Sequence, residues 1–173
     1  MNQYLISQKL LHWLAAILII GLFALGVWMR TLGYYDAWYQ TAPHWHKQLG
    51  ILLLAIMVGR IVWRLIKGTP PPLSSHKPIE VKLAHLVHGI LYIGVFMIML
   101  SGYLIATADN RGIEILGIIT LPVLFTPFEN QEDIAGLVHE WGAYVLMTVV
   151  ALHALGALKH HLIDKDNTLK RML

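Results

Sequence analysis

The sequence predicts an all-α fold, an integral-membrane four-helix bundle running up-down-up-down, and three observations carry that expectation. Hydrophobic residues make up 57% of the 173-residue chain and charged residues 13%, where a soluble domain has about 45–50% and about 25%. Four apolar runs approach the roughly 20 residues that a helix needs to cross a bilayer at 1.5 Å rise per residue. Lysine and arginine gather at the ends of those runs, mostly on one side. The length fits one domain, residues 1–173, and no linker or internal repeat divides it.

The first run, about 10–29, lies between Lys9 and Arg30. It is about twice as long as a signal-peptide core and has no small-residue cleavage site before Arg30, so it is expected to stay as an anchor. The second, about 46–66, is the least clean, because Arg60 and Arg64 sit near its end. Gly68 and Pro70, Pro71 and Pro72 then forbid helix. The third, about 82–108, starts at Lys82 and ends at Asp109. The longest connection follows, broken by Pro122 and Pro127, and the fourth run covers about 134–160. The charged tail, Asp164 to Met172, reads equally as a short interfacial helix or a topological anchor.

Orientation follows from the basic residues of the short loops. Lys9, Arg60, Arg64, Lys67, Lys77, Lys82, Lys159, Lys165, Lys170 and Arg171 fall on one side, and Arg30, Lys47 and Arg111 on the other. Both termini are therefore expected in the cytoplasm. The net charge of +3 is scattered over segment ends with no contiguous patch, so the expected partner is the lipid bilayer and not nucleic acid. Without any cysteine, disulfides, thiolate catalysis, cysteine-ligated iron–sulfur or zinc sites and covalent haem attachment are excluded.

Ionisable groups at membrane depth are costly and tend to mark function. His12 lies near the inner end of the first run, His46 at the outer end of the second, His85 and His88 at the inner end of the third, and His139 and His153 in the fourth. His139 and His153 are 14 residues apart, which on a helix is about 21 Å of rise and within about 40° of one face. The partners at matching depth are His12 for His153 and His46 for His139. Two bis-imidazole sites stacked across the bilayer result, and neutral imidazole is a good axial ligand for haem iron in a helix bundle. Interhelical hydrogen bonding is the plainer use of a single intramembrane histidine. A metal-ion transporter would want carboxylates among the histidines at mid-membrane, and the runs have none there. Gly21, Gly26, Gly50, Gly142 and Gly156 suit either a wide macrocycle or close helix packing.

The chain resembles the bacterial cytochrome b561 family, related to the cytochrome b subunits of nickel–iron hydrogenases and formate dehydrogenases. The resemblance rests on His12-Trp13-Leu14, on His46-Lys47-Gln48-Leu49-Gly50-Ile51 followed by Arg60 and Arg64, and on Ala84-His85-Leu86-Val87-His88. The step from His139 to His153 and the tail His160-His161 followed by Lys165-Asp166-Asn167-Thr168-Leu169 complete it. It spans essentially the whole chain. It implies two b-type haems in the bacterial inner membrane, an inner one on His12 and His153 and an outer one on His46 and His139. His44, two residues before His46, reads as interfacial, and His76 as a solvated loop residue. His85 and His88 are either near the inner haem or its propionates, or an interfacial hydrogen-bonding pair. Arg60 and Arg64 either snorkel or fork onto a propionate. His160 and His161, by the same resemblance, either serve a quinone headgroup with protons or form a basic helix end.

Two stacked haems with both axial positions filled make an electron wire. The expected function is electron transfer between the quinone pool, ubiquinone or menaquinone, and a periplasmic one-electron partner. The family resemblance offers a sharper alternative, oxidation of superoxide with electrons passed to ubiquinone. From Arg30 to Lys47 and Asp109 to Glu140, three basic residues face seven acidic ones, a net of −4, which favours a cationic partner over an anion. A membrane anchor or metal-ion transporter is the alternative of another class.

Overall fold

The computed structural model describes residues 3–125 and 127–173. Helices α1 (Ile6–Met29), α2 (Thr41–Lys67), α3 (Pro78–Ala106) and α4 (Gln131–Leu162) form an antiparallel bundle. All four are long and apolar enough to cross a membrane. Their limits depart from the expected spans by a few residues, because local chemistry at the ends sets them. α1 starts early, where Gln8 Oε1 accepts the Leu5 N–H at 3.1 Å. α3 begins at Pro78, whose fixed φ suits a first helical position, and Glu80 Oε2 accepts the Lys77 N–H at 2.9 Å. It stops at Ala106, two residues before the expected 108, beside Thr107, whose hydroxyl donates to the Tyr103 carbonyl at 2.9 Å. α4 starts after the left-handed Asn130, with Glu132 and Asp133 in its first turn offsetting the helix dipole.

α1 packs mainly on α2 and α3 on α4, while α1 and α4 scarcely touch. Ala15, Leu22, Leu53, Met57, Val95 and Leu146 make a slender core along the bundle axis. Of the most apolar stretch of each helix only 11% is buried in α1, α2 and α3 and 6% in α4. Helices apolar on their outward faces as well need lipid around them, and the chain is a multi-pass membrane protein.

Each end of the bundle is tied by side chains. At the tail end, Trp63 Nε1 donates to Ser7 Oγ at 2.8 Å and Gln8 Nε2 to the Gly68 carbonyl at 2.8 Å. The tail adds a 3-10 turn, Leu169–Arg171, folded back over this end. There Trp13 Nε1 donates to the Met172 carbonyl at 2.7 Å and Arg171 Nη2 to that of Pro71 at 2.9 Å. At the other end the long connection holds an antiparallel hairpin, β1 (Ile113–Ile115) and β2 (Ile119–Leu121), which pairs Ile113 with Leu121 and Ile115 with Ile119. Its turn puts Leu116 (φ 50) and Gly117 (φ 72) both at positive φ. Buried Gln48 holds the hairpin onto α2, donating to the Glu114 carbonyl at 2.7 Å and accepting the Leu116 N–H at 3.2 Å.

Candidate functional site

Near the hairpin end, His46 on α2 and His139 on α4 face one another with ring centroids 6.0 Å apart and planes at 70°. His139 Nδ1 lies 3.0 Å from the Ile98 carbonyl and 3.1 Å from Ser101 Oγ, whose hydroxyl itself donates to Ile98 at 2.9 Å. A carbonyl oxygen can only accept, so the His139 nitrogen that bonds it carries the proton, and with Nδ1 protonated the Nε2 lone pair is free to ligate. His46 Nδ1 is buried with no hydrogen-bond partner among the described residues. Two helical glycines admit these rings. A Cβ on Gly26 of α1 would stand 3.3 Å from His46 Cε1, and one on Gly102 of α3 would stand 3.1 Å from His139 Cε1.

Near the tail end, His12 on α1 and His153 on α4 stand with centroids 6.3 Å apart and planes at 75°. His88 of α3 also approaches His153, at 5.3 Å. His12 Nδ1 is buried with no partner among the described residues. Tyr92 follows His88 by one turn, and the guanidinium carbons of Arg60 and Arg64 lie over its ring at 5.6 and 5.9 Å. Both arginines are half-buried and turned toward α3. The Tyr92 hydroxyl is buried with no partner among the described residues.

Two metal–imidazole bonds of about 2 Å in line, with the ring radii added, separate ring centres by roughly 6 Å. The spacings of 6.0 and 6.3 Å match this, and the 5.3 Å between His88 and His153 is too short. Each pair joins α4 to a helix of the other half, across the seam that the bundle packs least. Imidazole pairs without thiolate suit haem iron, and the buried Nδ1 atoms of His12 and His46 lack, among the described residues, the hydrogen bond that fixes the His139 ring. Among the described residues no packing neighbour comes within 4 Å of a Cβ position at Gly21, Gly50 or Gly156, so close approach of another helix does not account for these glycines. At Gly142 a Cβ would strike Ile98, which it does explain. The residues present fit a haem at each pair.

The remaining candidates are distributed unevenly. His85 is exposed on α3, one turn before His88, and His44 is exposed beside Trp45. His161 is half-buried at the end of α4. His160 points its Nδ1 at Asp164 (2.9 Å) and Asp166 (3.0 Å). His76 is not a solvated loop residue: the folded-back tail covers it, and its Nε2 lies 2.8 Å from Thr168 Oγ1 and 3.3 Å from Asp166 Oδ2. Sequence reasoning missed Ser101, Gly102 and Tyr92, and named Gln48 without giving it a role. The Ser101-Gly102 pair, the one small polar break in the second half of an apolar helix, was the available signal.

At the hairpin end two of the three cations are engaged. Arg30 pairs with Glu140, joining α1 to α4, and the Arg111 guanidinium grips Asp109 at 2.6 and 2.7 Å. That grip, with the Arg111 N–H as a second donor, holds the Asp109 carboxyl below its ordinary value. Lys47, exposed beside His46, makes no ion pair among the described residues.

A family described as prokaryotic cytochrome b561 matches residues 3–173. The chain is 46% identical over 172 residues to "Cytochrome b561 homolog 2" of Escherichia coli (strain K12), covering 99% of this chain and 92% of that protein. It is 30% identical over 174 residues to "Probable superoxide oxidase CybB" of Yersinia pestis, covering 99% and 96%. To "Cytochrome b561 homolog 1" of Escherichia coli (strain K12) it is 27% identical over 176 residues, covering 100% and 98%.

Proposed function

The chain belongs to the prokaryotic cytochrome b561 family, and from that premise we propose that it moves electrons across the bacterial inner membrane between the quinone pool and a one-electron partner in the periplasm. The observation that supports this most directly is the repeated pairing on α4, His139 with His46 at 6.0 Å and His153 with His12 at 6.3 Å. Each pair would hold one b-type haem, His46 and His139 the outer and His12 and His153 the inner, with both termini in the cytoplasm. Bound there, haem supplies one-electron redox chemistry, tuned by axial ligand, hydrogen bonding and burial.

The chain's own residues then do four things. His139, its Nδ1 proton held by Ile98 and Ser101, presents Nε2 in a fixed orientation and gains basicity. His46 with His139, and His12 with His153, would hold a haem by two imidazoles each, a ligand set that suits outer-sphere electron transfer and not oxygen binding. Arg60 and Arg64 place two guanidinium groups at the inner site, where they would bind propionate carboxylates as charge-assisted donors. Quinone reduction consumes one proton per electron, and His161 at the cytoplasmic end of α4 is the imidazole positioned to pass protons to a headgroup there. His160, expected in the same role, has its Nδ1 committed to Asp164 and Asp166.

The test is haem content by pyridine haemochrome in detergent-purified wild type, His139→Ala and His153→Ala. About two haems falling to about one in each variant, with different spectral components lost, is the expected result. A colourless wild type, as a plain anchor or ion transporter would give, overturns the proposal. One haem indifferent to both changes also overturns it.

One relative favours a second reading. The Yersinia pestis protein is called a probable superoxide oxidase, and oxidation of superoxide at the outer centre would release oxygen and feed one electron inward to quinone. Against it stand the net −4 of the segments assigned to the periplasm and the engagement of Arg30 and Arg111 by carboxylates. Stopped-flow reduction by superoxide and by quinol separates the two. Superoxide reduction no faster than in a His46→Ala, His139→Ala double variant removes the second reading.

A further inference from the structure

The tail end carries a histidine cluster that electron transfer does not use. His76 from the α2–α3 connection, His160 from the last turn of α4 and Asp166 from the tail turn their side chains to one point. Asp166 Oδ2 lies 3.3 Å from His76 Nε2 and 3.0 Å from His160 Nδ1, and the two rings are 4.7 Å apart. The other oxygen, Oδ1, accepts the Thr168 N–H at 2.7 Å, so the carboxylate is held with Oδ2 toward the imidazoles. Asp164 Oδ2 approaches His160 Nδ1 at 2.9 Å and also receives Lys159 at 2.7 Å. The side chains of His76, His160 and Asp166 keep only 14%, 16% and 11% of their exposure, little for three polar groups at a bundle end.

We propose that His76, His160 and Asp166 form a structural divalent-cation site, suited to zinc, that fastens the tail to the α2–α3 connection and to α4. A tetrahedral site with bonds of about 2.0–2.1 Å has ligand-to-ligand edges of roughly 3.3 Å, close to the separations present here. Imidazole and carboxylate are zinc donors, and a chain without cysteine has no others of comparable strength. Thr168 Oγ1 also lies 2.8 Å from His76 Nε2, so the same point carries a hydroxyl oxygen beside the two ring nitrogens and the carboxylate. A single cation meets both lone pairs and the carboxylate at once. Asp164 is placed to supply the fourth donor if Lys159 releases it, since Lys159 has Glu80 as a second carboxylate at 2.8 Å. The cluster sits across the end of the bundle and not along it, which fits a clasp and not a transport path.

The test uses haem-loaded, detergent-purified protein stripped with EDTA and titrated with zinc(II) against a chromophoric chelator at neutral pH. One zinc per chain is expected, with affinity weakened about 10–100-fold in His76→Gln and in Asp166→Asn and unchanged in the exposed-histidine control His44→Gln. Trypsin cleavage after Lys165 and Lys170 is expected to slow on adding zinc to the wild type. The haem spectrum reports whether each variant is folded. Absence of stoichiometric zinc binding overturns the proposal, as does binding that survives in both variants. If a variant loses its haem, the wild-type tail decides alone, and protection that follows pH and ignores zinc overturns the site in favour of a proton-bridged clasp.

Discussion

His139 Nδ1 lies 3.0 Å from the carbonyl oxygen of Ile98, and its partner across the seam, His46, has no such anchor for its buried Nδ1. The two imidazoles of the hairpin-end pair are thus held by different means. One is fixed by a hydrogen bond to α3, while the other is wedged against α1 at Gly26. The glycine opposite each ring is as much a part of the site as the ring itself.

Gly102→Leu is expected to displace the His139 ring, because even a Cβ would stand 3.1 Å from Cε1 and 3.4 Å from Nδ1. Pyridine haemochrome should show the outer haem lost and the inner one kept, about half the wild-type content. Full haem content in Gly102→Leu contradicts this account of the outer site.

Gln48→Leu removes both hydrogen bonds that seat the hairpin on α2 and leaves the Glu114 carbonyl and Leu116 N–H without their partner. The expected cost is about 1–3 kcal/mol in local stability. It should appear as faster amide exchange and proteolysis between residues 112 and 122, with both haems retained. Loss of haem instead would make Gln48 a part of the outer site and not a support for the loop above it.

The four helices were legible in the sequence because membrane-spanning helices are written in hydropathy, and the surrounding lipid enforces that code residue by residue. The nearness of His12 to His153 and of His46 to His139 was legible for a related reason, since an imidazole stands out in an apolar run and its depth follows from its position along the helix. The hairpin was not. Its strands have three residues each, too short for their alternation to stand out, and its turn puts Leu116 at positive φ, where sequence patterns expect asparagine or glycine. The surroundings of His76 were equally hidden, because Asp166 and Thr168 reach it from the far end of the chain. Tertiary contacts between segments this distant leave no periodic signature. Helix ends were misplaced where a cap such as Glu80 on Lys77, and not the apolar limit, decides the first turn.

Asp109 gives a pH dependence of defined sign. The Arg111 side chain holds its carboxyl below the ordinary value of 3.8, so the unfolded state binds the proton more readily than the folded one. The stabilisation is fully present above the unfolded pKa and disappears as pH falls through the lower, folded value. Both side chains are well exposed, so the effect is small and weakened by salt. Thermal melts of wild type and Asp109→Asn should differ slightly at neutral pH in low salt and converge in acid. A gap that widens in acid contradicts the pairing.

His12 and His88 compete on paper for the place opposite His153, and their spacings separate them. His12 stands at 6.3 Å and His88 at 5.3 Å, and a metal with two imidazoles in line needs roughly 6 Å between ring centres. His12→Ala is therefore expected to remove the inner haem, with a spectrum close to that of His153→Ala. His88→Ala should keep both haems. Because His88 lies against the His153 ring and one turn from Tyr92, its loss should change the inner potential without changing haem content. Redox titration of the two spectral components reads both outcomes. If His88→Ala loses the inner haem and His12→Ala keeps it, the ligand is on α3, and the inner centre is built within the α3–α4 half of the bundle instead of across the seam.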